Sequence, residues 1–265
     1  MTILFVGALL SCEDNPKKQM PQKNEEVVAS TSKKIKYPKI LEQIFDVHGG
    51  LKAWKRNKTL MFSIGEGDNK ETHVIDLESR KDKVLGNQYA LGYNGKEVWL
   101  MNKEGQYKGD PAFYHNLMFY FYAMPFVFAD EGIQYGHADA LTFEGKSYPG
   151  IKVSYDKGVG VSFKDEYFIH YDPLTFQMVW LGYSVSYRSG ERSDKVNYIQ
   201  YNDWVAVNKM LLPKSITWYN YEDNMLTKPR NTVVFNTVKL EEKKMPKGYY
   251  AIPQGAEIAT VKEQS

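Results

Sequence analysis

Tyr93-Asn94-Gly95-Lys96-Glu97-Val98-Trp99-Leu100 is the stretch on which the fold turns. Asn-Gly suits the two positive φ angles of a type I′ turn, and strand-forming residues flank it, so it predicts a tight antiparallel hairpin. Outward toward the N-terminus, residues 59–65, 71–77 and 83–93 read as successive strands separated by polar turns. Outward toward the C-terminus, residues 141–143 and 148–155 flank the turn Glu144-Gly145-Lys146. Residues 168–171 and 176–187 flank Asp172-Pro173-Leu174-Thr175, and strands at 195–204, 211–221 and 232–240 complete the series. Antiparallel neighbours at such short spacing argue for a meander rather than βαβ units. No motif recurs at a fixed period, which argues against a propeller or solenoid. The expectation is an α+β domain, mostly β, built on a long, curved antiparallel sheet.

Two helical regions interrupt the strands. Ile40, Leu41, Ile44, Phe45 and His48 recur at helical spacing, Pro38 suits the first turn, and Gly49-Gly50 stops the helix. His48 then sits at a helix C-terminus, where the dipole favours a partly charged imidazole. Asp110-Pro111 is the second helix start, an N-cap followed by proline. From it a helix is expected over 111–124, with Phe113, Leu117, Phe121 and Met124 on one face, until Pro125 ends or kinks it. Eight of the 16 residues in 113–128 are aromatic. A segment so apolar around its circumference needs cover on most sides. Either it is a fully buried packing helix, or it lies over the mouth of a cavity with one face touching a ligand. In the second case Phe113, Leu117, Phe121, Met124 and Phe128 are the candidate ligand-binding residues. In residues 181–187, bulky Leu181, Tyr183, Val185 and Tyr187 alternate with small Gly182, Ser184 and Ser186. The small face lets another element or a ligand approach the sheet closely.

The N-terminus carries a different signal. Residues 1–10 are apolar or small and end in Leu9-Leu10-Ser11-Cys12. That is the length of a signal-peptide core, and too short for a bilayer span of roughly 20 residues. Ser11 before Cys12 matches a lipobox, although Leu10 is bulky for it and no Lys or Arg precedes the apolar core. Cys12 is the only cysteine, which excludes an internal disulfide framework and a cysteine-rich metal site. The expected organisation is therefore a lipoprotein signal peptide over 1–11, a flexible tether over 12–36 after lipidated Cys12, and one domain over 37–265. The alternative is a free N-terminal strand with an incidental cysteine.

Composition narrows the function classes. A net charge of +2 offers no basic field for nucleic acid. The 20 Tyr, 13 Phe and 5 Trp suit a β-rich core or an aromatic-lined cavity. No Gly-x-Ser-x-Gly elbow, His-Glu-x-x-His pair or Walker loop is present, and Gly158-Val159-Gly160 reads as loop geometry. His137-Ala138-Asp139 offers two metal ligands without an evident third. Asp130-Glu131 and Asp165-Glu166 are adjacent carboxylates, which point different ways on most backbones. No catalytic residue, cofactor or metal is expected.

A resemblance is carried by His48-Gly49-Gly50-Leu51-x-x-Trp54, Tyr93-Asn94-Gly95 with Val98-Trp99, and Pro-Phe-Val-Phe-Ala-Asp-Glu-Gly at 125–132. Tyr171-Asp172-Pro173 and Leu212-Pro213 with Trp218-Tyr219 extend it. Over about residues 37–255 the chain resembles an uncharacterised family of Bacteroidetes lipoproteins, whose outer-surface export signal Glu13-Asp14 also resembles. The order of helix, meander, inserted helices and further strands is more distantly similar to the lipoprotein carriers LolA and LolB. That likeness implies a half-barrel with a few helices packed over its concave face, and no functional residue is carried over from it. The resulting expectation is a lipid-anchored outer-membrane protein that binds lipid or acyl chains without enzymatic activity. A surface glycan-binding lipoprotein, using Trp99, Trp180, Trp204 or Trp218 as platforms, is the alternative, and an unrecognised hydrolase the third reading. One or two acyl chains on Cys12 hold a protein at a membrane through about 0.8 kcal/mol per buried methylene. Cys12→Ser is therefore expected to move the protein from the membrane to the soluble fraction on fractionation. An unmodified, uncleaved N-terminus by intact mass in the native host contradicts the reading.

Overall fold

A computed structural model describes residues 36–156, 164–187 and 189–260. The expectations for residues 1–11, Cys12, the tether up to Ile35 and the Gly158-Val159-Gly160 loop lie outside the described residues. After Pro38, helix α1 (Lys39–Val47) buries Leu41, Ile44 and Phe45 along one face. Gly49 and Gly50 end it with φ of +110° and +84°. A Cβ on Gly49 would lie 2.6 Å from the Lys209 carbonyl oxygen, so both its dihedral and its surroundings require glycine. Helix α2 (Leu51–Arg56) follows and stacks Trp54 on Phe126 at 4.7 Å.

His48 departs from expectation. It is fully buried, its Nδ1 lies 2.7 Å from the Ile44 carbonyl oxygen, and burial lowers its pKa to about 4. Desolvation outweighs the helix dipole, and the imidazole is neutral.

Strands β1 (Thr59–Ile64), β2 (Glu71–Asp76), β3 (Asp82–Leu85), β4 (Tyr89–Tyr93) and β5 (Val98–Asn102) form the first meander. The strand expected over 83–93 is two, because Gly86 N–H donates to the Tyr89 carbonyl and the chain reverses there. The deciding hairpin also differs in detail. Tyr93 pairs with Val98, Asn94 Oδ1 accepts the N–H groups of Lys96 and Glu97 at 2.8 Å each, and only Gly95 takes a positive φ, +99°. The asparagine closes the turn with its side chain instead of entering the left-handed region. Glu144-Gly145, Asn208-Lys209 and Asp223-Asn224 form two-residue turns in which both φ values are positive.

Helices α3 (Pro111–Tyr114) and α4 (Leu117–Tyr122) and the 3-10 helix Phe126–Ala129 lead into a second meander. It comprises β6 (Ile133–Phe143), β7 (Lys146–Tyr155), β8 (Tyr167–Tyr171), β9 (Met178–Tyr183), β10 (Asn197–Val207), β11 (Met210–Glu222) and β12 (Met225–Val234). Strands β13 (Asn236–Glu241) and β14 (Glu257–Ile258) return to the edges of the first sheet.

The curved sheet is thus present as two seven-stranded antiparallel sheets, not closed into a barrel: β13-β1-β2-β3-β4-β5-β14 and β12-β11-β10-β9-β8-β7-β6. The strand expected over 232–240 serves both. Val234 pairs with Ser215 in the second sheet, Asn236 pairs with Ser63 in the first, and the crossing residue Phe235 is buried between Phe62 and Tyr122. One continuous core contains α1, both sheets and residues 118–129. Each large side chain fully buried there contributes roughly 1.5–3 kcal/mol. Edge strand β12 is exposed through Lys228, Pro229 and Arg230, a composition that resists pairing with another chain.

Two outcomes follow. Gly95→Val places a β-branched residue at φ +99° and is expected to cost about 1–2 kcal/mol, read as a lowered urea midpoint with a strand-dominated circular dichroism spectrum retained. An unchanged midpoint contradicts it. His48 and His170 are both buried, with pKa lowered to about 4 by desolvation. Between about pH 6.5 and pH 4 the unfolded chain takes up a proton at each that the folded chain refuses. Their contribution is therefore complete above pH 6.5 and is lost as the pH falls toward 4, on the order of 3 kcal/mol each. A urea midpoint constant from pH 7 to pH 4.5 contradicts this account.

Candidate functional site

The site begins with a helix cap. Asp110 Oδ1 accepts the N–H groups of Ala112 at 3.0 Å and Phe113 at 3.3 Å, and Pro111 occupies the first helical position. The helix expected to run to Met124 breaks at Asn116, where φ is −116° and ψ is 2°. Polar contacts to the first sheet hold the break. Tyr114 hydroxyl donates to Glu71 Oε2 at 2.5 Å, and His115 Nδ1 lies 2.6 Å from Asp82 Oδ2 with both side chains buried. Burial pushes the Glu71 carboxyl up, but hydrogen bonds from His73, Tyr114 and Tyr89 outweigh it and hold the pKa below its ordinary value. At Asp82 burial wins over His115 and the pKa is raised.

Pinned on that side, the helical segment divides its faces. Met118, Phe119 and Tyr122 enter the core, Phe119 lying beneath the Arg80 guanidinium. Leu117, Tyr120, Phe121 and Met124 line a cavity of about 480 Å³ between α3, α4 and the second sheet. The opposite wall is Tyr155 of β7, Tyr167 of β8, Tyr183 of β9 and Trp218 of β11, with Val185 and Tyr187 from the chain after β9. Tyr201 hydroxyl donates to the Phe121 carbonyl at 2.7 Å and ties α4 to that wall.

The cavity wall has two unlike neighbourhoods, which adjoin where Tyr167 and Tyr183 pair on adjacent strands. At one, Phe121 meets Trp218 edge-on at 5.6 Å and Tyr183 at 5.1 Å, while Trp218 Nε1 donates to the Tyr183 hydroxyl at 2.9 Å. At the other, Tyr155 and Tyr167 lie edge to face at 5.9 Å, and Asp165 acts on both hydroxyls, raising their pKa after burial. Asp130 and Glu131 line the cavity as well. Burial pushes the Asp130 carboxyl up, against the pull of Arg80, whose Nη2 lies 2.6 and 2.7 Å from its two oxygens. Asp130 also lines a smaller cavity of about 230 Å³ beside Trp54, Leu77 and Phe126, so the Arg80–Asp130 pair stands where the two adjoin.

Four of the five sequence candidates, Phe113, Leu117, Phe121 and Met124, come together on the cavity wall. Phe128 does not. The 3-10 helix turns it into the core, fully buried and edge-on to Tyr167 at 5.6 Å. The opposite wall was missed, although the bulky alternation at Tyr183, Val185 and Tyr187 marks three of its residues. Asp130 and Glu131, expected to diverge, both line the cavity. Trp99 and Trp180 are fully buried and present no platform. His137 and Asp139 are exposed and 3.8 Å apart, and no group of three or more metal-ligating side chains occurs among the described residues. No described helix is long and apolar enough to cross a membrane.

Solved structures similar to this chain include a LolA superfamily protein from Nitrosomonas europaea, with 9% identity, a TM-score of 0.49, and coverage of 81% of this chain and 96% of that one. A DUF1329 family protein from Desulfovibrio piger aligns at 8% identity and a TM-score of 0.46, over 78% of this chain and 95% of that one. No curated protein matches by sequence. Residues 26–234 match the profile of the family of unknown function DUF6503, and the chain belongs to that family.

Proposed function

We propose that this protein binds lipid or another acyl-chain molecule, without chemical conversion, in the cavity between α3, α4 and the second sheet. The observation that carries the reading is the wall itself: Phe113, Leu117, Phe121, Met124, Val185 and Trp218 face about 480 Å³ of space. That volume lies within the range of small-molecule sites, and the wall is largely apolar. Burying about ten methylenes supplies roughly 8 kcal/mol gross, at about 0.8 kcal/mol each. Association and ordering oppose this by roughly 4–15 kcal/mol, so a useful affinity depends on a wall already in place. The contacts of Tyr114, His115 and Tyr201 supply that preorganisation.

In the same proposal the protein is a lipoprotein, held by acyl chains on Cys12 at the outer membrane of the cell envelope. Its partners are then the membrane, through its own anchor, and an apolar molecule in the cavity. A glycan platform has less support, because Trp99 and Trp180 are core residues and Trp218 faces the cavity beside Phe121.

Trp218 provides the test. The full chain carrying Cys12→Ser, and so without a lipid of its own, is titrated with a brominated acyl chain on a neutral head group. Saturable quenching of tryptophan emission is expected, largely removed by Trp218→Phe. Leu117 is only partly buried, so Leu117→Trp fills the cavity and is expected to weaken binding at least tenfold with melting unchanged. A folded wild type that shows no saturable quenching with neutral, cationic or anionic head groups overturns the proposal.

A further inference from the structure

Five tyrosines line the large cavity, and their hydroxyls fall into two sets. The Tyr183 hydroxyl accepts the Trp218 N–H at 2.9 Å, and the Tyr187 hydroxyl donates to Asp110 Oδ2 at 3.1 Å. Close by, the hydroxyls of Tyr114, Tyr135 and Tyr201 are likewise engaged, on Glu71 and on the carbonyl oxygens of Phe128 and Phe121. Tyr120 of α4, Tyr155 of β7 and Tyr167 of β8 differ. Among the described residues, none of their hydroxyls has a hydrogen-bond partner. Unlike the hydroxyls of Tyr122 and Tyr250, which are sealed in the interior, these three reach open space at the cavity wall.

The three stand together. The Tyr155 and Tyr167 rings meet edge to face at 5.9 Å, and Tyr120 lies near enough to act on both hydroxyls. Burial raises the pKa of all three, so each keeps its proton at neutral pH and is a hydrogen-bond donor. Charges of both signs border the cluster: Asp130, Glu131 and Asp165 line the cavity, Arg80 pairs with Asp130, and Arg230 acts on Tyr183. The surroundings therefore impose no single sign of charge on a ligand, and a charged head entering beside apolar walls loses hydration. A plain hydrocarbon would displace water from three hydroxyls and leave them unpaired. An uncharged oxygen acceptor avoids both penalties. Each phenol that donates to it is worth about two- to tenfold in affinity, the net value of one hydrogen bond.

We infer that the cavity selects an amphiphile with an uncharged, oxygen-bearing head of the acylglycerol class. Its carbonyl and hydroxyl oxygens meet Tyr120, Tyr155 and Tyr167, and its chain lies against Phe113, Leu117 and Val185. This inference rests on the proposed acyl-chain binding and adds the chemistry of the head.

Three ligands with twelve-carbon chains separate the two claims: 1-lauroylglycerol, dodecanol and dodecyltrimethylammonium, each below its aggregation concentration. The last carries charge but neither donor nor acceptor. They are titrated at pH 7 against the full chain carrying Cys12→Ser, by calorimetry and tryptophan emission. 1-Lauroylglycerol is expected to bind more tightly than dodecanol and at least tenfold more tightly than dodecyltrimethylammonium. Tyr155→Phe and Tyr167→Phe keep the rings and remove one hydroxyl each. Each is expected to weaken 1-lauroylglycerol about two- to tenfold and to leave dodecyltrimethylammonium unchanged. Because these hydroxyls bond to no described residue, both variants are expected to melt no lower than the parent. Dodecyltrimethylammonium binding as tightly as 1-lauroylglycerol overturns the head-group inference and leaves acyl-chain binding standing. So do phenylalanine variants that weaken all ligands equally, that leave 1-lauroylglycerol unaffected, or that lower the melting temperature by several degrees. If none of the three ligands binds to folded protein, the acyl-chain proposal fails, and this inference with it.

Discussion

The site depends on two polar contacts, Tyr114 to Glu71, which is part-buried, and His115 to Asp82, which is buried. They anchor the end of α3 to the first sheet and break what would otherwise be one helix over 111–124. A continuous helix would carry a fixed apolar stripe and could settle against one sheet. The broken segment packs Phe119 and Tyr122 into the core, while Phe113, Leu117 and Phe121 line the cavity, Phe121 touching Tyr183 and Trp218 of the second sheet at one side of it. Hydrogen bonds give geometry that apolar packing alone does not, because an unpaired partner would be left buried at a cost of roughly 1–3 kcal/mol. The cavity is the space left by that geometry.

The two sheets make such a space compatible with a stable fold. Phe235 passes the chain from the edge of one sheet to the edge of the other, and it packs on both Phe62 and Tyr122. The core thus runs unbroken from α1 through residues 118–129 to the strands, and the cavity lies to one side of it. Its wall mixes apolar side chains with tyrosines whose hydroxyl groups stay neutral, burial having raised the pKa of Tyr167 and Tyr183. Such a wall is suited to a molecule with one apolar and one polar part.

Much of this was legible in the sequence, and the limits have physical causes. The meander was readable because alternation and turn residues act locally, as at Gly95 and Glu144-Gly145. The candidates Phe113, Leu117, Phe121 and Met124 were readable as a face because helical spacing survived the break. The break itself was not, since it depends on Glu71 and Asp82, which lie far away in sequence. His48 was misjudged for the same reason: the dipole is local, but the Trp204 ring and the Leu211 strand that bury it are not. The split at Phe235 was hidden because one run of residues with strand character serves two sheets. Phe128 could not be told from Phe121 by residue type, and only the 3-10 turn after Pro125 separates core from wall.

The central claim is that an apolar chain occupies the space between α4 and the second sheet. Methyl-resolved nuclear magnetic resonance of the Cys12→Ser chain, titrated with dodecanol, tests it most directly. The account predicts saturable shifts at Leu117, Met124 and Val185, with the core methyl groups of Leu41, Ile44 and Ile199 unmoved. Shifts confined to Leu77 beside the smaller cavity, or no saturable shift in folded protein, would contradict it.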